Sequence, residues 1–261
     1  MKPVRAVLKL LLIVLYTLVL YGFFVTGWAG IKLLRMRIAP WRNFILRIWS
    51  AGVCRILNLH IRTKGASPEP PFFLVSNHLS YTDIFAFYRT LRCTFIAKQE
   101  VRFWPVIGFI TKTMGVIFVD RKRKRDITRV NNLVSAGIHR DQGIVLFPEG
   151  KTSSGKEILP FRSSLLEHPA SADIPVCYAS IHYQTPPDED PAYLRVCWWG
   201  SDSFFRHFYK LATLRHIECT LTFGRQTVQN RDRKQLAKQL HQKMSRQFEP
   251  LKQSRDESGS R

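Results

Sequence analysis

From Leu8 to Leu34 the chain is almost wholly apolar, interrupted only by Lys9 and Lys32, and a stretch of that length permits very few structures. In hydrocarbon every backbone N–H and C=O must be satisfied within the segment, so the segment is expected to be helical, and roughly 20 apolar residues suffice to cross a bilayer core. A membrane segment is therefore the first expectation. A secretory signal peptide competes with it, because Lys2, Arg5 and Lys9 form a basic start and small residues occur at Gly27, Ala29 and Gly30. The stretch is longer than a typical signal core and runs on into Lys32, Arg35, Arg37 and Arg42, which favours retention. With cations at both ends the positive-inside rule is nearly silent, so crossing once and dipping in from one face both stay open.

Charge points the same way. Forty Lys and Arg against 19 Asp and Glu give a formal net charge of +21, which calls for an anionic partner, either nucleic acid or an anionic membrane surface. The apolar stretch favours the membrane. The basic run Arg121 to Arg125 has no interleaved aromatics and no groove-reading motif, so nucleic acid is not expected. The cysteines at 54, 93, 177, 197 and 219 form no C-x-x-C pair, so neither a disulfide framework nor a zinc site is indicated. Free thiols of this kind fit a reducing compartment, which places the working face of the membrane on the cytoplasmic side. No metal or cofactor is expected.

Residues 1–63 read as membrane-associated helices. After Pro40, Phe44, Ile45, Ile48, Trp49, Val53 and Ile56 alternate with Arg42, Arg47 and Arg55 at helical spacing, as in an amphipathic helix lying on a membrane or against a core. Residues 64–71, with Gly65, Ser67, Pro68, Pro70 and Pro71, read as a linker. Residues 72–249 read as a catalytic domain. Its apolar runs, 72–76, 94–97, 115–120, 143–148, 175–183, 194–199 and 217–223, are mostly continuous rather than alternating. That pattern predicts an α/β fold with a mixed, mostly parallel sheet covered by helices on both faces. A helix over 231–248 should pack back on the sheet through Leu236, Leu240, Met244 and Phe248, and residues 250–261 read as a disordered polar tail.

Two strand ends carry the chemistry. The first runs into Asn77-His78-Leu79-Ser80-Tyr81-Thr82-Asp83. Residues five apart on one helix point well away from each other, so His78 and Asp83 can meet only across a turn. Ser80 with Asp83 has capping-box spacing, which would start a helix between them and turn the carboxylate back toward the imidazole. The second strand ends in Pro148-Glu149-Gly150-Lys151-Thr152-Ser153. Gly150-Lys151-Thr152 is not a nucleotide phosphate loop, because Val145 stands where that motif needs glycine. A turn presenting Glu149, Lys151 and backbone N–H groups still suits an anion or a developing oxyanion. Lys98 and Arg121 end two further strands and converge on the same crevice.

Four blocks in order resemble the glycerolipid acyltransferase family, of the lysophosphatidic acid acyltransferase type: N-H-L-S-Y-T-D at 77–83, G-V-I-F-V-D-R at 115–121, F-P-E-G-K-T-S at 147–153 and I-P-V at 174–176. The resemblance implies a catalytic dyad of His78 and Asp83, acceptor binding by Arg121, Glu149 and Gly150, and a role for Lys98. It also implies an N-terminal helical membrane anchor. Phosphate-acceptor members usually read E-G-T-R-S, whereas this chain has Lys151 and Thr152 after Gly150. Lys151 can supply charge but not the planar guanidinium fork. Lysophosphatidate is the expected acceptor, with lyso-ornithine lipid or another lysolipid as the alternative, and acyl-CoA or acyl carrier protein is the expected donor. A membrane-bound lipid or nucleic-acid binder without catalysis is the competing class.

Overall fold

The computed structural model of the chain describes residues 2–119 and 126–253, with 126–131 as helical backbone alone. Arg121 and the tail residues 254–261 lie outside the described residues.

The apolar N-terminal stretch is one helix, α1 (Lys2–Leu33), long and apolar enough to cross a membrane. It is followed by α2 (Ala39–Leu57), which ends at Asn58 in the left-handed conformation that releases a chain from a helix. The chain then enters β1 (Leu59–Lys64), so residues 59–63, grouped above with the N-terminal helices, form a strand instead. One flank of β1 is exposed, so the segment lacks the continuous apolar run used to find the other strands.

The remaining elements are β2 (Phe73–Ser76), α3 (Thr82–Thr90), β3 (Cys93–Lys98), α4 (Ile107–Thr113), β4 (Ile117–Val119), α5 (Asp126–Gly137), β5 (Gly143–Leu146), α6 (Glu167–Ser171), β6 (Val176–Gln184), α7 (Ala192–Arg195), α8 (Phe204–Ala212), β7 (Ile217–Phe223) and α9 (Arg233–Gln247). The seven strands form one sheet in the order β1-β7-β6-β2-β5-β3-β4. From β6 to β4 all neighbours are parallel, while β7 pairs antiparallel with β6 and carries β1 parallel to itself.

The pleat divides the core. Leu74, Val145 and Phe95 face α1, α2, α3, α7 and α8, whereas Phe73, Val75, Ile144 and Leu146 face α6 and α9. Strands buried on both faces explain the continuous apolar runs. Residues 194–199 are the exception. They begin in α7 and continue as an irregular segment in which the Trp198 and Trp199 indoles donate to the carbonyls of Asp202 and Tyr193. Periodicity cannot tell so short an apolar run from a strand.

Candidate active site

The C-terminal ends of β2, β5, β3 and β4 share one edge of the sheet, where open parallel sheets bind their ligands. Extending the registers Val75–Leu146 and Phe95–Val145 places Asn77, Pro148 and Lys98 at one level along that edge.

Just past β2 the chain makes the turn that sequence spacing requires. His78 Nδ1 lies 2.8 Å from Asp83 Oδ2. The same oxygen accepts the backbone N–H groups of Leu79 at 2.8 Å and Ser80 at 3.1 Å, so the third proton facing it is the one on Nδ1. The other oxygen, Oδ1, accepts the Tyr183 hydroxyl at 2.8 Å, and that hydroxyl in turn accepts from Thr82 Oγ1 at 3.0 Å. Asp83 is 0 % exposed. Only half of the expected capping box forms. The carboxylate bonds the Ser80 N–H, but the Ser80 hydroxyl reaches the N–H of Thr82 at 3.4 Å rather than that of Asp83, and α3 begins at Thr82.

The imidazole stacks on Phe147, with ring centres 4.0 Å apart and planes 11° from parallel. Its side chain is 20 % exposed, and Nε2 has no hydrogen-bond partner among the described residues. With Nδ1 engaged, Nε2 is the nitrogen available to take a proton. The dyad is accordingly arranged as a general base whose tautomer and direction are held from behind.

The turn after β5 holds His78 from below. Glu149 accepts the His78 N–H at 2.9 Å through Oε1 and the Leu159 N–H at 3.2 Å through Oε2, while the Ser153 N–H donates to the His78 carbonyl at 3.0 Å. Glu149 is 3 % exposed. The sequence reading aimed it outward at an acceptor; its side chain instead turns inward, because two otherwise unpaired N–H groups lie beneath the turn. Burial raises its carboxyl from the usual 4.5 to about 8, against the downward pull of those two bonds. Gly150 supplies the positive φ of 74° that the turn needs, and its N–H donates to the Phe147 carbonyl at 3.1 Å. Thr152 donates its hydroxyl to the Trp198 carbonyl. Lys151 and Lys98 are exposed at the same edge, so both are positioned to meet an anion.

Three contributors were missed by sequence reasoning. The buried Asn77 amide pairs with the peptide of Ile181, donating to its carbonyl at 3.0 Å and accepting its N–H at 2.8 Å. Tyr183 orients Asp83, and a tyrosine closing an apolar strand was the available signal, since a buried phenol seeks a partner. Trp198 donates its backbone N–H to the Leu79 carbonyl at 2.8 Å and joins Tyr81, Trp104 and Phe204 in an aromatic cluster beside the turn.

Residues 58–182 match the family model described as Acyltransferase. A lyso-ornithine lipid O-acyltransferase of Pseudomonas aeruginosa is 29% identical over 198 residues, which cover 74% of this chain and 74% of that relative. A 1-acyl-sn-glycerol-3-phosphate acyltransferase of Neisseria meningitidis is 35% identical over 134 residues, 51% of this chain and 52% of that relative, about half its length. The crystal structure of the 1-acyl-sn-glycerophosphate acyltransferase from Thermotoga maritima superposes with a TM-score of 0.59 over 97% of this chain and 100% of that one, at 18% identity, and shows the same fold. The matched segment begins just before β1 and ends in β6, enclosing both strand-end turns, and over these residues the chain is similar to acyltransferases.

Proposed function

We propose that the chain transfers a fatty acyl group from acyl-CoA or acyl carrier protein to the free hydroxyl of a lysolipid, with lysophosphatidate as the acceptor. The observation that carries this reading is the 2.8 Å contact between His78 Nδ1 and a fully buried Asp83, with Nε2 left on the open side. His78 Nε2 takes the hydroxyl proton as the acceptor oxygen bonds to the thioester carbonyl carbon. Collapse breaks the C–S bond, and the departing thiolate takes the proton back from the imidazolium. Asp83 holds the ring and its charge through the cycle. Lys98, Lys151, Arg121 and Thr152 hold the acceptor's anionic group. Glu149 and Gly150 act by shaping the turn under His78.

Lyso-ornithine lipid is a second acceptor reading. It is favoured by the relative of that name matched over three quarters of both chains, and by Thr152 standing where phosphate-acceptor members carry Arg. The chain works on the cytoplasmic face of a membrane, held by α1 and α2.

The first test is release of free thiol from acyl-CoA in the presence of lysolipid. His78→Ala should lower the rate by 10²-fold or more; a rate equal to the parent's would leave a lipid-binding protein without catalysis. An acceptor panel then decides the head group, and clear preference for lyso-ornithine lipid over lysophosphatidate would replace the first reading by the second.

A further inference from the structure

A groove of about 830 Å³ lies away from the dyad, between α2, β1 and the end of α3. Three guanidinium groups line it, Arg47 and Arg55 from α2 and Arg89 from α3, together with Asn58, His60 and Thr90. No Asp or Glu lines it. The carboxylates attached to the neighbouring chain are engaged elsewhere, Glu218 with Arg62 at 3.4 Å and Glu69 with Arg92 at 2.6 Å. Arg47, Arg55 and Arg89 thus have no carboxylate partner among the described residues, although like charges gathered in one groove repel.

The occupant is indicated by what surrounds the arginines. At 100° per residue, Phe44, Arg47, Ile48, Ala51 and Arg55 fall within an arc of about 100° on α2. Phe44 is 54% exposed and Ile48 36%. Guanidinium groups interleaved with exposed apolar side chains on one helical face are the pattern of a helix in a lipid headgroup layer, where the apolar groups enter the acyl boundary and the cations stay with the phosphates. The outward face of α1 beside it continues the apolar surface through Leu8, Leu11, Leu15, Leu18 and Phe23. β1 is three strand spacings from β2, about 14 Å, which separates the groove from the dyad.

We propose that this groove binds the phosphate headgroup of an anionic membrane lipid, as a site distinct from the acceptor pocket. The bound lipid sets the depth and tilt of α2 at the bilayer surface, with Arg89 tying α3, and through it the dyad turn, to the same headgroup.

The test uses the full-length chain in neutral detergent micelles, titrated with phosphatidylglycerol or with phosphatidylcholine, and reads the thermal unfolding midpoint. Phosphatidylglycerol should raise the midpoint of the parent where phosphatidylcholine does not. Arg47→Gln with Arg55→Gln and Arg89→Gln should need at least fivefold more phosphatidylglycerol for half of that shift. Arg89→Gln alone, which leaves α2 intact, should need at least twofold more. Lys234→Gln with Lys238→Gln and Arg246→Gln, on α9 across the sheet, should respond as the parent does. An unchanged requirement in the groove variants would overturn the proposal, as would an equal loss in the α9 variant, which would mark the response as net charge. Loss of coenzyme A affinity in the groove variants with an intact phosphatidylglycerol response would assign the arginines to the donor instead. None of these readouts needs turnover, so failure of the acyltransferase reading leaves them interpretable.

Discussion

A carboxylate with four donors around it cannot turn freely, and at Asp83 one of those donors comes from the neighbouring strand β6. Tyr183→Phe removes the hydroxyl bonded to Oδ1 at 2.8 Å and keeps the ring volume in place. One hydrogen bond of this kind contributes about 1 kcal/mol, so kcat should fall about fivefold. KM for the lysolipid should stay constant, because Tyr183 is buried behind the dyad. A rise in KM at constant kcat would assign Tyr183 to the pocket. Glu149 makes a prediction about pH. Its carboxyl is raised from 4.5 to about 8, so between those values the folded chain keeps a proton that the unfolded chain has released. The folded state binds more protons, and stability therefore falls as pH rises through that window, by an amount on the order of a few kcal/mol. Glu149→Gln has no proton to lose. It should be slightly less stable than the parent at pH 5, where its amide N–H₂ meets the Leu159 N–H, and more stable at pH 9. Parallel stability curves for the two proteins would refute the assignment.

Among the elements, the α1–α2 pair is the one whose packing sequence periodicity described least. The two helices run antiparallel in contact: the Tyr16 hydroxyl donates to the Ile48 carbonyl at 2.8 Å, the Trp49 indole to Thr17 Oγ1 at 3.0 Å and the Trp41 indole to the Phe24 carbonyl at 3.1 Å. Two glycines make the approach possible, since a Cβ on Gly52 would meet the Tyr16 ring and one on Gly27 the Trp41 ring. Gly52→Ala should cost about 1–3 kcal/mol by overpacking and free α1 for proteolysis. Gly22→Ala, with nothing within 4 Å of the added carbon, should be neutral or stabilise the helix by up to about 1 kcal/mol. Equal effects of the two substitutions in thermal unfolding would mean that the helices do not pack this way.

At the scale of the whole molecule, α1 is fastened to the domain at its N-terminal end as well as its middle. Lys9 Nζ donates to the carbonyls of Leu214 at 2.7 Å and Leu57 at 3.2 Å, at the ends of α8 and α2, and Arg5 donates to that of Thr213. Cations on the last carbonyls of helices are favourable partners for the helix dipole. A helix held at Arg5, Lys9, Tyr16 and Phe24 against one domain lies along that domain and leaves its outer side exposed. Cysteines introduced at Lys2 and at Arg35 should therefore react with a membrane-impermeant maleimide from the same side of the bilayer. The native thiols contribute little background, four being buried and Cys177 half-buried. Reaction from opposite sides would restore a crossing helix.

Much of this was legible in the chain because it depends on neighbours in sequence. The apolar length of α1, the two-faced burial of β2 and β5, and the turn between His78 and Asp83 each follow from local spacing, since helices, parallel strands and caps impose their periods on a few adjacent residues. What the tertiary structure decided depends on residues distant in sequence. Glu149 turned inward because the N–H groups of His78 and Leu159 needed an acceptor, Tyr183 reached Asp83 only once β6 lay beside β2, and residues 194–199 gave up a strand to cover the turn. Periodicity specifies which face a side chain takes, but only the packed sheet specifies which partner waits there.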